Sequence, residues 1–329
     1  MMRADLAGVN KKDFLSVLDF DATELERCID LAADVKRERP LGLRASTATA
    51  LAGAHVALLF DKPSLRTWST FEIAVRELGG AAVTVPADVA LGGRETVADV
   101  ARNLERWVTA AVVRTFAQTT VAEFALAAPR LHVINALTDE EHPCQALADF
   151  LTLREHWGGW PGRTLAFVGD GNNVATSLAH AATMLGVDLN IASPAGYALP
   201  ARVVNDCRRI ARHGAEVRLF LDPVEAVRGA HAIYTDVWTS MGQEAEAEQR
   251  RRAFVRYQVS ADLMRHADAG ALFMHCLPAK RGEEVTTDVL ESGASVVFDQ
   301  AENRLHAQKA LLLMLMVGGP TTIKCPDLG

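Results

Sequence analysis

The sequence lacks the features that mark a secreted, metal-stapled or membrane-spanning protein. Its five cysteines are an odd number and none forms a Cys-x-x-Cys pair, so neither a disulfide framework nor a zinc site is predicted. The first residues hold no apolar run typical of a secretion signal. The apolar segment KALLLMLMVGG is too short to span a bilayer and indicates a buried helix. We therefore expect a cytoplasmic protein with no membrane partner.

Long blocks of one charge are also missing. The net charge is −7, from 34 basic and 41 acidic side chains spread along the chain. Such a balance argues against nucleic acid as a partner, although it allows a local basic pocket. The length of 329 residues exceeds what one ordinary core organises, so two domains are expected.

Strand-like and helix-like segments alternate through most of the chain. Short apolar runs such as HVALLF and TLAFV are each followed by a helical pattern, STFEIAVRELGG and NVATSLAHAATMLG. This order predicts an α/β protein with two domains, each a mostly parallel sheet flanked by helices. We place the first domain over residues 1–150, with the C-terminal helix 302–329 packing back on it, and the second over residues 151–301.

The stretch DKPSLRTWSTFE places polar side chains in the first turn of a helix, directly after an apolar strand. A helix start has unpartnered N–H groups and the positive end of the dipole, which together suit a phosphate. Ser64 and Thr67 add hydroxyls, and Arg66 adds a fork that fits two phosphate oxygens. The ordinary alternative is that Ser64 only caps the helix.

Polar residues that follow other apolar runs have functional interest, because ligands of such sheets bind beyond the carboxyl ends of the strands. In the first half, Arg114, His142 and Gln145 suit a phosphate with a carbonyl attached, where they would donate towards the carbonyl oxygen. In the second half, the loops GDGNN and DVWTSMG offer amides and a carboxylate, which suit an amino acid. Each piece also has an ordinary alternative, such as a surface ion pair, a tight turn or a buried thiol.

Several longer motifs together carry a resemblance to a known family. HPCQALAD, VGDGNNV, YTDVWTSMGQE, MHCLPAKRGEEV and FDQAENRLHAQKALL resemble, in order and spacing, the motifs of the ornithine carbamoyltransferases within the aspartate/ornithine carbamoyltransferase family. The similarity covers nearly the whole chain. SLRT matches the carbamoyl phosphate loop of the family.

The resemblance implies a role for each matching position. The residues that would bind carbamoyl phosphate are Ser64, Leu65, Arg66, Thr67, Arg114, His142, Gln145, Cys276, Leu277 and Arg304. Of these, the residues implied to act in catalysis are Arg66, Arg114, His142, Gln145, Cys276 and Arg304. The residues that would bind ornithine are Asn173, Asp236, Ser240 and Met241.

The resemblance also implies the reaction and the assembly. The uncharged δ-amine of L-ornithine would attack the carbonyl carbon of carbamoyl phosphate, giving citrulline and phosphate for arginine biosynthesis or catabolism. No metal or organic cofactor is implied, because phosphate is already a good leaving group. The active site would lie in the cleft between the two domains, in a homotrimer or a multiple of trimers.

The chain departs from the family pattern at four positions. The family loop usually reads Ser-Thr-Arg-Thr-Arg, whereas this chain has Leu65 and Trp68 at the second and fifth places. Ala90 replaces a glutamine that often reaches a neighbouring subunit, and Gln118 replaces a histidine. These changes leave open a paralogue that acts on putrescine or an N-acylornithine, or a catalytically weak binding homologue. The DVWTSMG loop favours ornithine among the amines.

A nucleotide-dependent enzyme is a further alternative, with VGDGNN as its dinucleotide loop. The segment lacks the Gly-x-Gly-x-x-Gly spacing, and no acidic residue clearly ends a following strand at the position that would bind ribose. The sequence therefore favours the carbamoyltransferase interpretation.

Overall fold

A computed structural model describes residues 11–86, 90–91, 93–240 and 242–317. The chain divides into two compact units, with boundaries after Leu151 and after Glu302; the segment from Asn303 belongs to the first unit. None of the helices in the described ranges combines the length and apolarity that a bilayer span needs.

The first unit contains a four-stranded parallel sheet with strand order β2-β1-β3-β4. Its strands are β1 (His55–Phe60), β2 (Ala81–Val85), β3 (Ala110–Arg114) and β4 (His132–Leu137). Its helices are α1 (Ala22–Glu38), α2 (Leu65–Glu77), α3 (Val97–Leu104), α4 (Gln118–Ala127) and most of α5 (Pro143–Trp157). The central strands β1 and β3 are buried on both faces, which explains why they appear in the sequence as continuous apolar runs.

The second unit contains a five-stranded parallel sheet with strand order β7-β6-β5-β8-β9. Its strands are β5 (Thr164–Val168), β6 (Asp188–Ala192), β7 (Val217–Phe220), β8 (Ala232–Thr235) and β9 (Leu272–His275). Its helices are α6 (Asn173–Leu185), α7 (Ala201–Ile210), α8 (Pro223–Val227), α9 (Ala247–Phe254), α10 (Ala261–Met264) and α11 (Thr287–Leu290). The predicted α/β class with two parallel sheets is confirmed.

The last helix, α12 (Val297–Met316), begins earlier than the sequence suggested. We expected it to start near residue 302, so that Arg304 would open it. Arg304 instead lies well inside the helix and is buried. The apolar segment that ends this helix is buried through Leu315, as the sequence predicted.

Candidate active site

In the first unit, the parallel register brings two predicted site segments to the same edge of the sheet. Arg114 ends β3 and pairs with Phe60, which ends β1. The backbone N–H of Asp61 donates to the carbonyl of Arg114 at 2.8 Å. The turn that leads into α2 therefore starts beside Arg114.

The first turn of α2 is capped by Ser64, whose Oγ accepts from the N–H of Thr67 at 3.2 Å. The capping alternative for Ser64 is thus present in the structure. Capping leaves the N–H groups of Leu65 and Arg66 at the helix start, where no intrahelical carbonyl can reach them. Thr67 is buried, and its Oγ1 accepts a hydrogen bond from a guanidinium nitrogen of Arg304.

Arg114, His142 and Arg304 are buried in this unit, and both guanidiniums lie close enough to His142 to act on its charge. The pKa of His142 lies well below its ordinary value of 6.5, firstly because of burial and then because of the charges of Arg304 and Arg114. His142 is therefore neutral at pH 7, so it can donate a hydrogen bond without carrying a charge. Two guanidiniums beside a neutral imidazole form a site suited to an anion.

Gln145 lies one turn before Asp149 on α5, and both side chains are buried. The Nε2 of Gln145 donates to Oδ1 of Asp149 at 2.7 Å. Because the aspartate oxygen can only accept, this bond fixes which amide atom is which. The other amide atom, Oε1, is buried and has no partner among the residues that the structure describes. A ligand donor would satisfy it.

Asp149 was not predicted, although the Gln-x-x-x-Asp spacing on a helix was a usable signal. Cys144, between His142 and Gln145, has a different role. Burial raises the pKa of its thiol to about 12, and its Sγ donates to the carbonyl of Asn135 at 3.3 Å. It is a buried structural thiol and not a nucleophile.

In the second unit, Asp236 and Cys276 follow two neighbouring strands, because Thr235 pairs with His275 across β8 and β9. The thiol of Cys276 donates to Oδ1 of Asp236 at 3.1 Å. The same oxygen accepts from the N–H of Val237 at 2.8 Å. Asp236 is only 7% exposed, so these donors compensate for lost hydration of its carboxylate.

Asn172, which was not predicted, holds the other oxygen of Asp236. Its Nδ2 donates to Oδ2 of Asp236 at 2.9 Å, and its Oδ1 caps α6 by accepting from the N–H groups of Val174 and Ala175. The predicted residue Asn173 is the first residue of α6, and its Oδ1 accepts from its neighbour Val174 at 2.9 Å. The cap therefore fixes the orientation of Asp236.

The GDGNN turn has a structural explanation that weakens the dinucleotide alternative. A Cβ on Gly171 would lie 2.3 Å from the backbone nitrogen of Leu199, so only glycine fits there. The N–H groups of Val174 and Ala175 in the first turn of α6, which would bind a pyrophosphate, are already bonded to Asn172. The glycine serves close backbone packing in this chain.

The DVWTSMG loop is attached to the rest of the second unit by Arg250, a buried residue on α9. Its guanidinium donates to Asp170 at 2.7 Å and to the carbonyl of Trp238 at 3.1 Å. Burial raises the pKa of Asp170, and the bond to Arg250 partly offsets this. Ser240 is half-buried, and its N–H donates to Oε1 of Gln243 at 3.1 Å. Met241, a predicted ornithine-binding residue, lies outside the described residues.

Cys276 and Leu277 both lie in this unit, in the turn after β9. Together with His275 and Asp236, the thiol forms a group whose possible metal-ligating atoms lie within 4.8 Å of one another. Both ring nitrogens of His275 already have hydrogen-bond partners. A metal ion here would require His275 to give up one of them.

Two of the departures from the family pattern have structural explanations in the first unit. The Trp68 ring packs edge-on against Phe60 with centroids 5.2 Å apart, and its Nε1 donates to Glu72 at 3.2 Å. Ala90 is buried in the core of the unit, where its methyl group packs among apolar side chains.

Gln118 shows why an amide is compatible with its position. Its Nε2 donates to the carbonyl of Leu15 at 3.0 Å, while its Oε1 accepts from Asn135 at 3.2 Å and Thr138 at 2.6 Å. Thr138 in turn accepts from the N–H of Glu141, next to His142. Gln118 thus supports the turn that precedes α5.

Comparisons with known proteins match each half of the chain to a separate domain model. Residues 12–155 match the carbamoyl-P binding domain model of the aspartate/ornithine carbamoyltransferases, and residues 161–315 match their Asp/Orn binding domain model. An ornithine carbamoyltransferase of Symbiobacterium thermophilum is 50% identical over 93% of this chain and 98% of its own length. The anabolic ornithine carbamoyltransferase of Pyrococcus furiosus is 47% identical over 96% of this chain and 99% of its own.

Solved structures give the same result. An ornithine carbamoyltransferase from Pyrococcus furiosus superposes with a TM-score of 0.89 at 46% identity, covering 94% of this chain and 98% of its own. The enzyme from Gloeobacter violaceus superposes with a TM-score of 0.83 at 44% identity, covering 93% and 99%. The two domain models, the relatives and the shared architecture lead to one conclusion: the chain belongs to the aspartate/ornithine carbamoyltransferase family.

Proposed function

We propose that this protein transfers the carbamoyl group of carbamoyl phosphate to the δ-amine of L-ornithine, giving L-citrulline and phosphate. The observation that carries the proposal is 50% identity, over 93% of the chain, to a protein named ornithine carbamoyltransferase. The chemistry of the two side-chain groups supports it, since one suits a phosphate ester and the other an amino acid.

The first unit binds carbamoyl phosphate in this proposal. The start of α2, with Ser64, Leu65, Arg66 and Thr67, binds phosphate oxygens through backbone N–H groups and the Arg66 guanidinium. The buried Oε1 of Gln145 accepts from the carbamoyl amino group, which satisfies an acceptor that has no partner among the described residues.

The same unit stabilises the transition state. As the carbonyl oxygen becomes negative, Arg114 and neutral His142 donate to it from a buried site, where such bonds are strong. Arg304 adds positive charge beside them and is oriented by Thr67. These donors are fixed before the reaction, so little reorganisation is needed.

The second unit binds ornithine. The Asp236 carboxylate pairs with the α-ammonium, and Asn173 and Ser240 bind the α-carboxylate, with Met241 in the same loop. The Cys276–Leu277 turn contacts the reacting groups. The fixed orientation of Asp236 supports this role, because a preoriented carboxylate loses less entropy on binding.

The bond changes balance without a cofactor. The ornithine δ-ammonium first loses a proton, and the free amine attacks the carbonyl carbon to form a C–N bond and a tetrahedral oxyanion. The C–O bond to phosphate then breaks, phosphate leaves with that electron pair, and the nitrogen loses a second proton to give citrulline. Activity should rise with pH on the alkaline side, because only the free amine is nucleophilic.

The test is citrulline formation from carbamoyl phosphate by the purified protein, with ornithine, putrescine, N-acetylornithine and aspartate compared as acceptors. We expect ornithine to give the highest kcat/KM. A higher kcat/KM for another amine would make the protein a paralogue, and no carbamoylated product with any of the four would indicate a binding homologue.

The biological setting is proposed from the family. The anabolic name of the Pyrococcus furiosus relative supports a place in arginine biosynthesis. We also propose a cytoplasmic homotrimer or a multiple of trimers, which sedimentation of the purified protein would test.

A further inference from the structure

A buried carboxylate and imidazole lie next to the turn that the proposed reaction uses, and neither has a role in it so far. His275 ends β9, directly before Cys276, and Glu284 lies nine residues further along the chain. Both side chains are completely buried. The Nε2 of His275 lies 3.2 Å from Oε1 of Glu284.

The hydrogen bonds define the proton position on His275. Its Nδ1 accepts from the backbone N–H of Leu277 at 2.8 Å. A nitrogen that accepts this bond carries no proton, so the ring proton is on Nε2 and is donated to Glu284. The same oxygen of Glu284 also accepts from the N–H of Lys280.

Leu277 needs such support, because its backbone has a φ of +57°. This left-handed region is unfavourable for a branched residue without glycine's freedom and persists only where surrounding contacts enforce it. The bond from Leu277 N–H to His275 is one such contact. The residue that follows is Pro278, which has no N–H. Pro278 therefore adds no donor of its own that could hold the turn.

We propose that Glu284 is a positioning residue, which holds His275 in the Nε2–H tautomer and thereby fixes the Cys276–Leu277 turn for the incoming amine. This rests on the proposed function. What Glu284 supplies is an acceptor at a fixed place, so the geometry of its oxygen matters more than its charge. Two hydrogen bonds, between His275 and Glu284 and from the Leu277 N–H to His275, transmit the influence of Glu284 to the turn.

Three substitutions separate geometry from charge. Glu284→Gln keeps an acceptor oxygen at the same place without the charge, so we expect kcat within about threefold of the unmodified protein. Glu284→Asp keeps the charge but withdraws the oxygen by one methylene, and Glu284→Ala removes it. For both, we expect kcat to fall by about 10–100-fold, because small misplacements of reacting groups are costly.

The matched control is Glu283→Gln, next along the same loop. Glu283 forms ion pairs with Arg251 and Lys280 but has no bond to His275. We expect its kcat and ornithine KM to stay within about twofold, since such partly exposed pairs contribute little. Binding of inorganic phosphate should be unchanged in every variant, because the phosphate ligands belong to the first unit.

The experiment measures kcat, both KM values and the imidazole nitrogen NMR signals of His275. The proposal is supported if Glu284→Gln has a higher kcat than Glu284→Asp and if Glu284→Ala loses the NMR signal of a protonated Nε2. The reverse order, or unchanged kinetics in folded Glu284→Ala, overturns it.

If the alanine variant does not fold, the order of kcat between Glu284→Gln and Glu284→Asp decides. If the unmodified protein forms no citrulline, the proposed function fails, and the NMR signals alone decide whether Glu284 sets the tautomer.

Discussion

The two groups of site residues differ in charge and in how they are held. The group in the first unit is positive and rests on regular elements, with Arg114 at a strand end, His142 directly before α5 and Arg304 inside α12. The group in the second unit centres on a carboxylate, Asp236, and on loops, and it is held by hydrogen bonds from neighbouring side chains. The proposed anion site is therefore built by strand and helix positions, whereas the proposed amino-acid site depends on hydrogen bonds that orient Asp236.

The largest expected effect comes from removing the central carboxylate of the second unit. Asp236→Ala should lower kcat/KM for ornithine on the order of 1000-fold, because a buried charged partner of the ammonium is lost. Carbamoyl phosphate binding should persist. The matched control is Asp222→Ala, which removes only an exposed helix cap in the same unit. Steady-state kinetics with both substrates varied would measure both kcat/KM values. An equal loss of kcat/KM for carbamoyl phosphate would contradict the assignment of the two substrates to separate groups of residues.

A smaller effect, confined to catalysis, is expected in the first unit. His142→Gln should lower kcat by about 100-fold through loss of one oxyanion donor, while the ornithine KM changes little. The control is His156→Gln. His156 is a partly exposed histidine in the last turn of α5, the helix that begins directly after His142, and it pairs with Asp299. An ornithine KM that rises as much as kcat falls would show that His142 also serves the amino acid.

The contacts that orient Asp236 can be tested at Asn172, which both donates to Asp236 and caps α6. Asn172→Ala should raise the ornithine KM about 10-fold and lower the free energy of unfolding by about 1 kcal/mol, since it loses both the bond to Asp236 and the helix cap. Asn172→Ser keeps a cap but cannot reach Asp236. It should therefore recover stability without recovering KM, and recovery of both would make Asn172 only a cap.

The low pKa of His142 predicts how stability depends on pH. The unfolded chain takes up a proton near 6.5 that the folded protein does not, so this group makes the free energy of unfolding fall as pH drops below 6.5 towards its folded pKa. His142→Gln should flatten the dependence below about pH 6.5. Chemical denaturation at several pH values would measure the free energy of unfolding of both proteins. The same pH dependence in His142→Gln and in the unmodified protein would contradict a buried neutral imidazole at His142.

The smallest effect is expected at the helix start. Leu65→Thr restores the family residue, yet kcat and the carbamoyl phosphate KM should stay within about twofold, because in the proposed site phosphate binds the backbone N–H and not the 77% exposed side chain. A large gain in activity would show that the missing hydroxyl matters.

The contrast also explains what the sequence could and could not predict. Arg114, His142 and Gln145 follow apolar strands in the chain, so the sequence pattern alone was enough to select them as candidates. Asn172 and Glu284 meet their partners Asp236 and His275 only after folding, whereas the spacing of Gln145 and Asp149 on one helix was a signal that the sequence analysis missed. The start of α12 was predicted too late in the chain, because its first turn carries no capping motif that marks it in the sequence.

The central claim is that phosphate and amino acid are recognised by separate groups of residues. Calorimetric titration of inorganic phosphate and of ornithine into Arg66→Gln and Asp236→Asn tests it most directly, with ornithine added in the presence of saturating phosphate where binding is ordered. The account predicts that the first variant loses phosphate affinity and the second loses only ornithine affinity. Loss of phosphate binding in Asp236→Asn, or its retention in Arg66→Gln, would contradict the account.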